Sequence, residues 1–151
     1  MAKSYDPRMH TAEHILNQTM VRMFDCGRCF AMHINPKKSK CDYHFAKPLT
    51  DKEALEIESR INDVLEQSLE VTDGQLSWEE AELAFDLNRL PKEARESSDT
   101  VRIVRVGDYD ACPCSGEHVA NTREIGAFRL ISHGFENDVL RIRYKLDGSP
   151  A

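Results

Sequence analysis

His10 and His14 stand four residues apart in the segment Met9-His-Thr-Ala-Glu-His14, and Cys114 and His118 repeat that spacing in Cys114-Ser-Gly-Glu-His118. Imidazole nitrogens and a thiolate are the donors that a tetrahedral zinc ion takes. One pair of histidines on a helix would say little, since such side chains are as readily solvated or satisfied in a core. Two pairs, the second with a cysteine ligand and an internal glycine, favour one metal ion held by His10, His14, Cys114 and His118.

The first pair needs a helix, because only there does a four-residue step put both rings on one face, one turn apart. Asp6-Pro7 supplies the start: aspartate accepts backbone N–H groups at the N-cap, and proline fits the first helical position. Met9, Ala12, Leu16, Met20 and Met23 recur at helical spacing as the inward stripe, and Gly27 is expected to end the run. His10 and His14 fall on the neighbouring stripe with Asn17 and Val21, where a site at the edge of a core would sit.

Between Phe30 and Phe45 the pattern loosens into short extended pieces around Pro36, with Tyr43 and Phe45 alternating against Asp42 and His44 as in a half-buried strand. Thr50 and Glu53 form a capping box. The helix that follows should run towards Leu69 with Ala54, Ile57, Ile61, Val64, Leu65 and Leu69 on one face. Ser77 and Glu80 repeat the device for a shorter helix carrying Ala81, Ala84 and Phe85. Leu90-Pro91 is expected to close that region, with room for another helical turn beyond it. The last third reads as strands at 101–106, 126–132 and 139–145, divided by Gly107, Gly134 and polar turns. Leu140, Ile142, Tyr144 and Leu146 alternate with Arg141, Arg143 and Lys145, so one face is buried and the other basic. Helices first and sheet later, without regular βαβ alternation, predicts an α+β fold with an antiparallel sheet.

The chain has 151 residues, 40% hydrophobic and 30% charged, which suits one globular domain over 1–151. No apolar run approaches the roughly 18 residues that a membrane span needs. The opening MAKSYDPRMH lacks a signal-peptide apolar stretch, so the expected compartment is the cytoplasm. There the five cysteines at 26, 29, 41, 112 and 114 should be thiols or metal ligands. The tail from Asp147 reads as a frayed end. A net charge of −6 argues against a general nucleic-acid coat protein and leaves a local basic face open.

From Cys114 to Gly126 the sequence reads C-S-G-E-H-V-A-N-T-R-E-I-G. This resembles the C-x-G-x-H-V-x-N-T-x-E-I-G signature of the editing domain shared by alanyl-tRNA synthetases and the free-standing AlaX-type trans-editing proteins, and related to the second additional domain of threonyl- and alanyl-tRNA synthetases. His10-Thr-Ala-Glu-His-Ile-Leu16 is similar to the family's H-T-A-x-H-L-L. Cys41 to Phe45, Leu49 to Glu53 with its helix, and Val101 to Asp108 fall in family order, so the resemblance spans nearly the whole chain. It implies an editing-domain fold in which the two motifs converge on one zinc ion per chain. It also implies hydrolysis of an aminoacyl ester at the acceptor end of a mischarged tRNA, usually Ser-tRNA(Ala) or Gly-tRNA(Ala). A chain starting almost at the first motif resembles the short AlaX class, without the glycine-rich domain of longer relatives. Ser115 and Glu117 stand where the second motif usually has small or hydroxyl residues.

Ester hydrolysis needs a water nucleophile, stabilised carbonyl charge and a means of refusing the cognate amino acid. Zinc can lower the pKa of bound water to about 7 and polarise a carbonyl, although four protein ligands is the closed pattern of structural sites. The preferred reading has the metal positioning substrate and water. Thr11 is the candidate for a hydrogen bond to a serine hydroxyl that alanine lacks, and otherwise an ordinary helix residue. Glu13 and Glu117, the carboxylates adjacent to ligands, are candidate proton acceptors, with solvated surface the plainer reading for Glu13. Asn121 and Thr122 suit a turn, and Gly116 suits a tight loop at the metal. Lys37, Lys38 and Lys40, with Arg141, Arg143 and Lys145, are candidate tRNA contacts that position the acceptor end without reading sequence.

Two other classes of function compete. Cys26, Cys29, Cys41 and His44 have zinc-ligand spacing and on their own would mark a binding module. Against this, Cys41 and His44 should point to opposite faces of a strand. The domain could also bind aminoacyl-tRNA or a partner without hydrolysing it. H-T-A-E-H differs from the protease helix H-E-x-x-H, because the glutamate does not follow the first histidine. A homodimer is compatible with the sequence, which does not select one.

Overall fold

Asp6 opens the first helix as expected: in a computed structural model that describes residues 6–85, 87 and 98–147, its carboxylate accepts from the backbone N–H groups of Arg8 and Met9. Helix α1 spans Pro7–Phe24 and stops before Gly27, because Asp25 already takes the left-handed conformation (φ 53°) and returns its N–H to the Val21 carbonyl. Both sides of this helix are covered. Met9, Ala12, Leu16 and Met20 are buried against the sheet, and His10, His14 and Asn17 are buried beside them.

Strands β1 (Ala31–His33) and β2 (Ser39–His44) form the hairpin around Pro36. The Thr50–Glu53 capping box is present, and α2 runs Asp51–Glu66. Its end precedes the expected Leu69, since Ser68 is left-handed (φ 52°). Ile57, Ile61, Val64 and Leu65 are its buried positions. Strand β3 (Val71–Ser77), which the sequence pattern does not reveal, leads into α3 (Trp78–Ala84), capped by Ser77 and Glu80. Of the apolar face expected there, Ala81 is buried, Phe85 is partly buried and Ala84 is exposed. Leu90, Pro91 and the stretch after them, like the tail beyond Asp147, lie outside the described residues.

Strands β4 (Thr100–Val106) and β5 (Asp110–Pro113) join β3 in a three-stranded antiparallel sheet, ordered β3-β4-β5. A single 3-10 turn at Thr122–Glu124 precedes β6 (Ala127–Glu136) and β7 (Val139–Asp147). These complete a four-stranded antiparallel sheet ordered β1-β2-β7-β6. Gly134 lies inside β6. The hairpin turns instead at Asn137 and Asp138, whose φ values of 51° and 61° suit the mirror-image turn that matches strand twist.

The main core fills the space between α1, α2 and the inner face of the four-stranded sheet, where Tyr43, Phe128, Leu140, Ile142 and Tyr144 are fully buried. A smaller cluster of Trp78, Ala81, Val101 and Ile103 holds α3 to the second sheet. This is an α+β fold, and α1 is wedged between the two sheets' contributions. No described helix is long and apolar enough to cross a membrane.

Candidate metal centre

The two i,i+4 pairs meet. Ligand atoms of His10, His14, Cys114 and His118 all lie within 4.8 Å of one another, a set that could hold a metal ion. The helical half is rigid: His10 and His14 are each 2% exposed. The other half arrives from β5. Strand alternation turns Asp110, Cys112 and Cys114 to one side, towards α1, and the chain then doubles back to present His118.

Each ring is fixed from behind. His10 Nδ1 is 3.2 Å from the carbonyl oxygen of Glu117, and His118 Nδ1 is 2.9 Å from the Thr11 hydroxyl. His14 Nδ1, buried without a hydrogen-bond partner among the described residues, lies 3.6 Å from a carboxylate oxygen of Asp110. With Nδ1 protonated and held in this way, Nε2 is the ligand atom, and His10 and His118 both bring it to 3.5 Å from Cys114 Sγ. Metal-binding histidines are oriented by such outer partners in general. The donor set, its burial and the outer bonds fit zinc.

The loop half has its own anchors. Arg102 donates to the carbonyls of Cys114 (3.1 Å) and Gly116 (2.6 Å) and is itself held by Asp73 (2.7 Å). The Gly116 N–H reaches Cys114 Sγ at 3.4 Å. A Cβ at position 116 would sit 2.6 Å from His10 Nδ1 and closer still to Cε1. Glycine is therefore required by space rather than by backbone conformation. The following turn is stitched to the start of β3: Leu69 N–H donates to the Thr122 hydroxyl, Asn121 Nδ2 to the Ser68 carbonyl, and Val71 N–H to the Ala120 carbonyl. Asn121 and Thr122 thus hold the loop's exit.

Charge follows the same layout. Burial would raise the Cys114 thiol, but hydrogen bonds from His10, His118 and His14 outweigh it and bring the thiol from 9.0 to about 3. Burial also disfavours a charged His14, yet the carboxylate of Asp110 and the Cys114 sulfur raise it from 6.5 to about 9. Asp110 is held down at about 2 against the effect of burial by His14 and Arg28, the latter 2.7 Å away. His118, desolvated and flanked by two imidazoles, falls to about 4.

The candidate residues separate on this geometry. Thr11 is at the cluster but behind it: its hydroxyl donates to the Pro7 carbonyl (2.9 Å) and accepts from Val119 N–H (3.2 Å) as well as meeting His118. With 0% exposure, that hydroxyl has no bond left to offer a substrate. Glu117 is exposed, and its contribution to the cluster is its backbone carbonyl. Glu13, whose plainer reading was solvated surface, is 1% exposed, with one oxygen 3.8 Å from His10 Nε2. Asn17 Nδ2 donates to that carboxylate, while Asn17 Oδ1 accepts from the Tyr43 hydroxyl (2.6 Å) and Cys29 N–H (3.2 Å). Asp110, Arg28 and Arg102 were missed as well; the alternation of Asp110, Cys112 and Cys114 was the available signal.

Cys41 is buried beside Cys29, whereas His44 is exposed and stacked on Phe30, so the alternative ligand set is split across a strand. The one cluster that could hold a metal among the described residues is the first. Lys37 and Lys38 are exposed in the β1–β2 turn. Lys40, Arg141, Arg143 and Lys145 lie on the outer face of the four-stranded sheet, opposite the face that packs on α1; Tyr144 between them reaches the Met9 carbonyl at 3.2 Å.

Residues 101–143 match the family described as threonyl and alanyl tRNA synthetase second additional domain. The chain is 31% identical over 126 residues to the alanine–tRNA ligase of Pseudothermotoga lettingae, covering 83% of the chain and 14% of the ligase. For the ligase of Caldicellulosiruptor saccharolyticus the identity is 30%, over 82% of the chain and 14% of the ligase. With the ligase of a Thermoanaerobacter species it is 29%, over 95% and 16%. The chain therefore spans about a seventh of the length of these relatives.

Proposed function

The chain carries the second additional domain of threonyl and alanyl tRNA synthetases within an AlaX-like relative of the alanine–tRNA ligases, and from that premise we propose that it hydrolyses mischarged aminoacyl-tRNA in trans. The observation that carries the reading is the converged His10–His14–Cys114–His118 cluster, with every imidazole held by an outer partner. One zinc ion per chain is the metal that this donor set suits, and when bound it polarises the ester carbonyl and orders water.

The surrounding residues divide the remaining work. Glu117 is the exposed carboxylate beside the ligands and meets the ammonium group of the aminoacyl ester. Thr11 holds His118 and keeps its Nε2 turned inwards. Glu13, held by Asn17, places a buried carboxylate on the Nε2 side of His10. The substrates are Ser-tRNA(Ala) and Gly-tRNA(Ala), and the ligand at the site is the acceptor end. A closed four-donor set also suits a module that binds aminoacyl-tRNA without hydrolysing it, and one assay separates the two. Wild type and Cys114→Ala are given Ser-, Gly- and Ala-charged tRNA(Ala) and Ser-charged tRNA(Thr). Release of serine or glycine from tRNA(Ala), sparing of alanine, and loss of turnover in the variant are expected. No turnover on any substrate sinks the editing reading; turnover indifferent to Cys114 sinks the metal's part in it.

A further inference from the structure

Among the described residues no helix or strand packs on the outer face of the four-stranded sheet, and its charges fall in rows. Antiparallel register places His33, Lys40, Arg143 and Ser132 directly opposite one another across β1, β2, β7 and β6. The row on one side is balanced: Arg141 makes a two-pronged pair with Asp42 at 2.7 and 2.9 Å, opposite Ala31 and Gly134. On the other side Arg129 lies on Asp147 at 2.7 Å and Lys145 is 3.8 Å from the same carboxylate, so two cations share one anion. The middle row has no carboxylate. Lys40 and Arg143 face each other as a like-charge cross-strand pair, an arrangement that destabilises a sheet. It persists in a chain of net charge −6. The nearest carboxylate, Asp42 two residues along β2, is held below the usual carboxylate range by Arg141, Lys40 and Arg143 together, so one anion answers three cations, and the surplus positive charge points to a partner outside the molecule.

Beyond the balanced Asp42–Arg141 row, Phe30 lies on His44 with ring centroids 4.0 Å apart and planes 14° apart. Phe30 is 47% exposed, so the stacked pair is open to solvent. Two cations at the roughly 5 Å strand spacing suit phosphates, and a stacked exposed aromatic suits a base. An acidic polypeptide would use the cations and leave the stack unexplained.

We infer that this face is a second RNA-contacting surface, with His33, Lys40 and Arg143 on phosphates and the Phe30–His44 stack on a base. The inference rests on the editing reading for which RNA it is, and on the charge rows for where it binds. It is tested with uncharged tRNA, so that hydrolysis is not needed. Binding of labelled tRNA is measured against salt for wild type, Lys40→Glu/Arg143→Glu, Lys40→Arg/Arg143→Lys, Phe30→Ala, and a control, Lys52→Glu/Arg60→Glu, on the exposed side of α2. The first variant should bind about tenfold or more weakly, with a log–log salt slope smaller by about 2. The charge-keeping exchange and the control should bind as wild type does, and Phe30→Ala should weaken binding while leaving the slope unchanged. Unaltered circular dichroism and metal content show that the variants are folded. Wild type without tRNA affinity at low salt, equal affinity of the reversed-charge variant, or equal displacement of tRNA by polyglutamate would overturn the surface. Failure of the deacylation assay with this binding pattern intact removes the enzyme and keeps the surface.

Discussion

The two halves of the metal centre are built differently. His10 and His14 sit on a buried helix whose own backbone bonds fix their spacing. Cys114 and His118 sit beyond the end of β5 in a segment without regular structure, more exposed and held by side chains from elsewhere: Arg102 on two carbonyls, Thr11 on His118 and Val119, and His10 on Glu117. One half is preorganised by secondary structure, and the other by hydrogen bonds reaching across the fold. The helical half should therefore tolerate change around it, whereas the loop half should be sensitive to residues that never touch the metal.

The comparison breaks most completely if a ligand is lost from either half. Cys114→Ala and His14→Ala should each lower zinc affinity by on the order of 100-fold or more, read by competition with a chromophoric chelator. Helix content should be unchanged in both variants. Next comes the loop's anchor. Arg102→Ala frees the carbonyls of Cys114 and Gly116 and should weaken zinc binding by about 10- to 100-fold. Removing Gln18, a helix residue that donates to Asp110 at 2.9 Å, should cost far less, and equal losses from the two would mean that the halves are held alike.

Protons sharpen it further. Without metal, Cys114 is a thiolate above about pH 3, His118 is neutral above about 4, and His14 keeps its proton to about 9. The raised His14 value means that its charge pair stabilises the metal-free fold fully below pH 6.5 and is lost as pH rises through 9. Zinc binding at pH 7 should release the proton held by His14, as measured by titration calorimetry in buffers of different ionisation enthalpy. Apparent affinity should rise with pH below 9, as His14 gives up its proton more readily, and level off above it. Asp110→Asn should change affinity by about tenfold, and proton release should fall towards zero as His14 loses its carboxylate.

The parts of the site encoded by local rules were legible in the sequence. Ligand spacing, the Asp6 cap, the two capping boxes and the alternation of β7 each follow from neighbours a few residues away. What was illegible depends on distant partners. Strand β3 is mostly exposed and has no apolar alternation, so β4's pairing with it is the evidence for a strand at Val71–Ser77. Glu13 looks like a surface carboxylate because helical spacing cannot show that α1 is covered on two sides. Its burial depends on Asn17, Tyr43 and Cys29. Gly134 looked like a turn and proved to be strand, since Asn137 and Asp138 supply the left-handed residues that the hairpin needs.

The contacts between the ligand pairs join residues 107 positions apart in the chain, as in His10 with Glu117 and Thr11 with His118. A metal ion shared by the two pairs is then a clasp between the first helix and the last third of the protein. Closing so long a loop costs chain entropy that few local contacts repay, so the clasp should be among the last features to form and the first to open. Stripping the metal should accordingly register as faster backbone amide exchange in α1, ahead of any loosening in the β6–β7 hairpin.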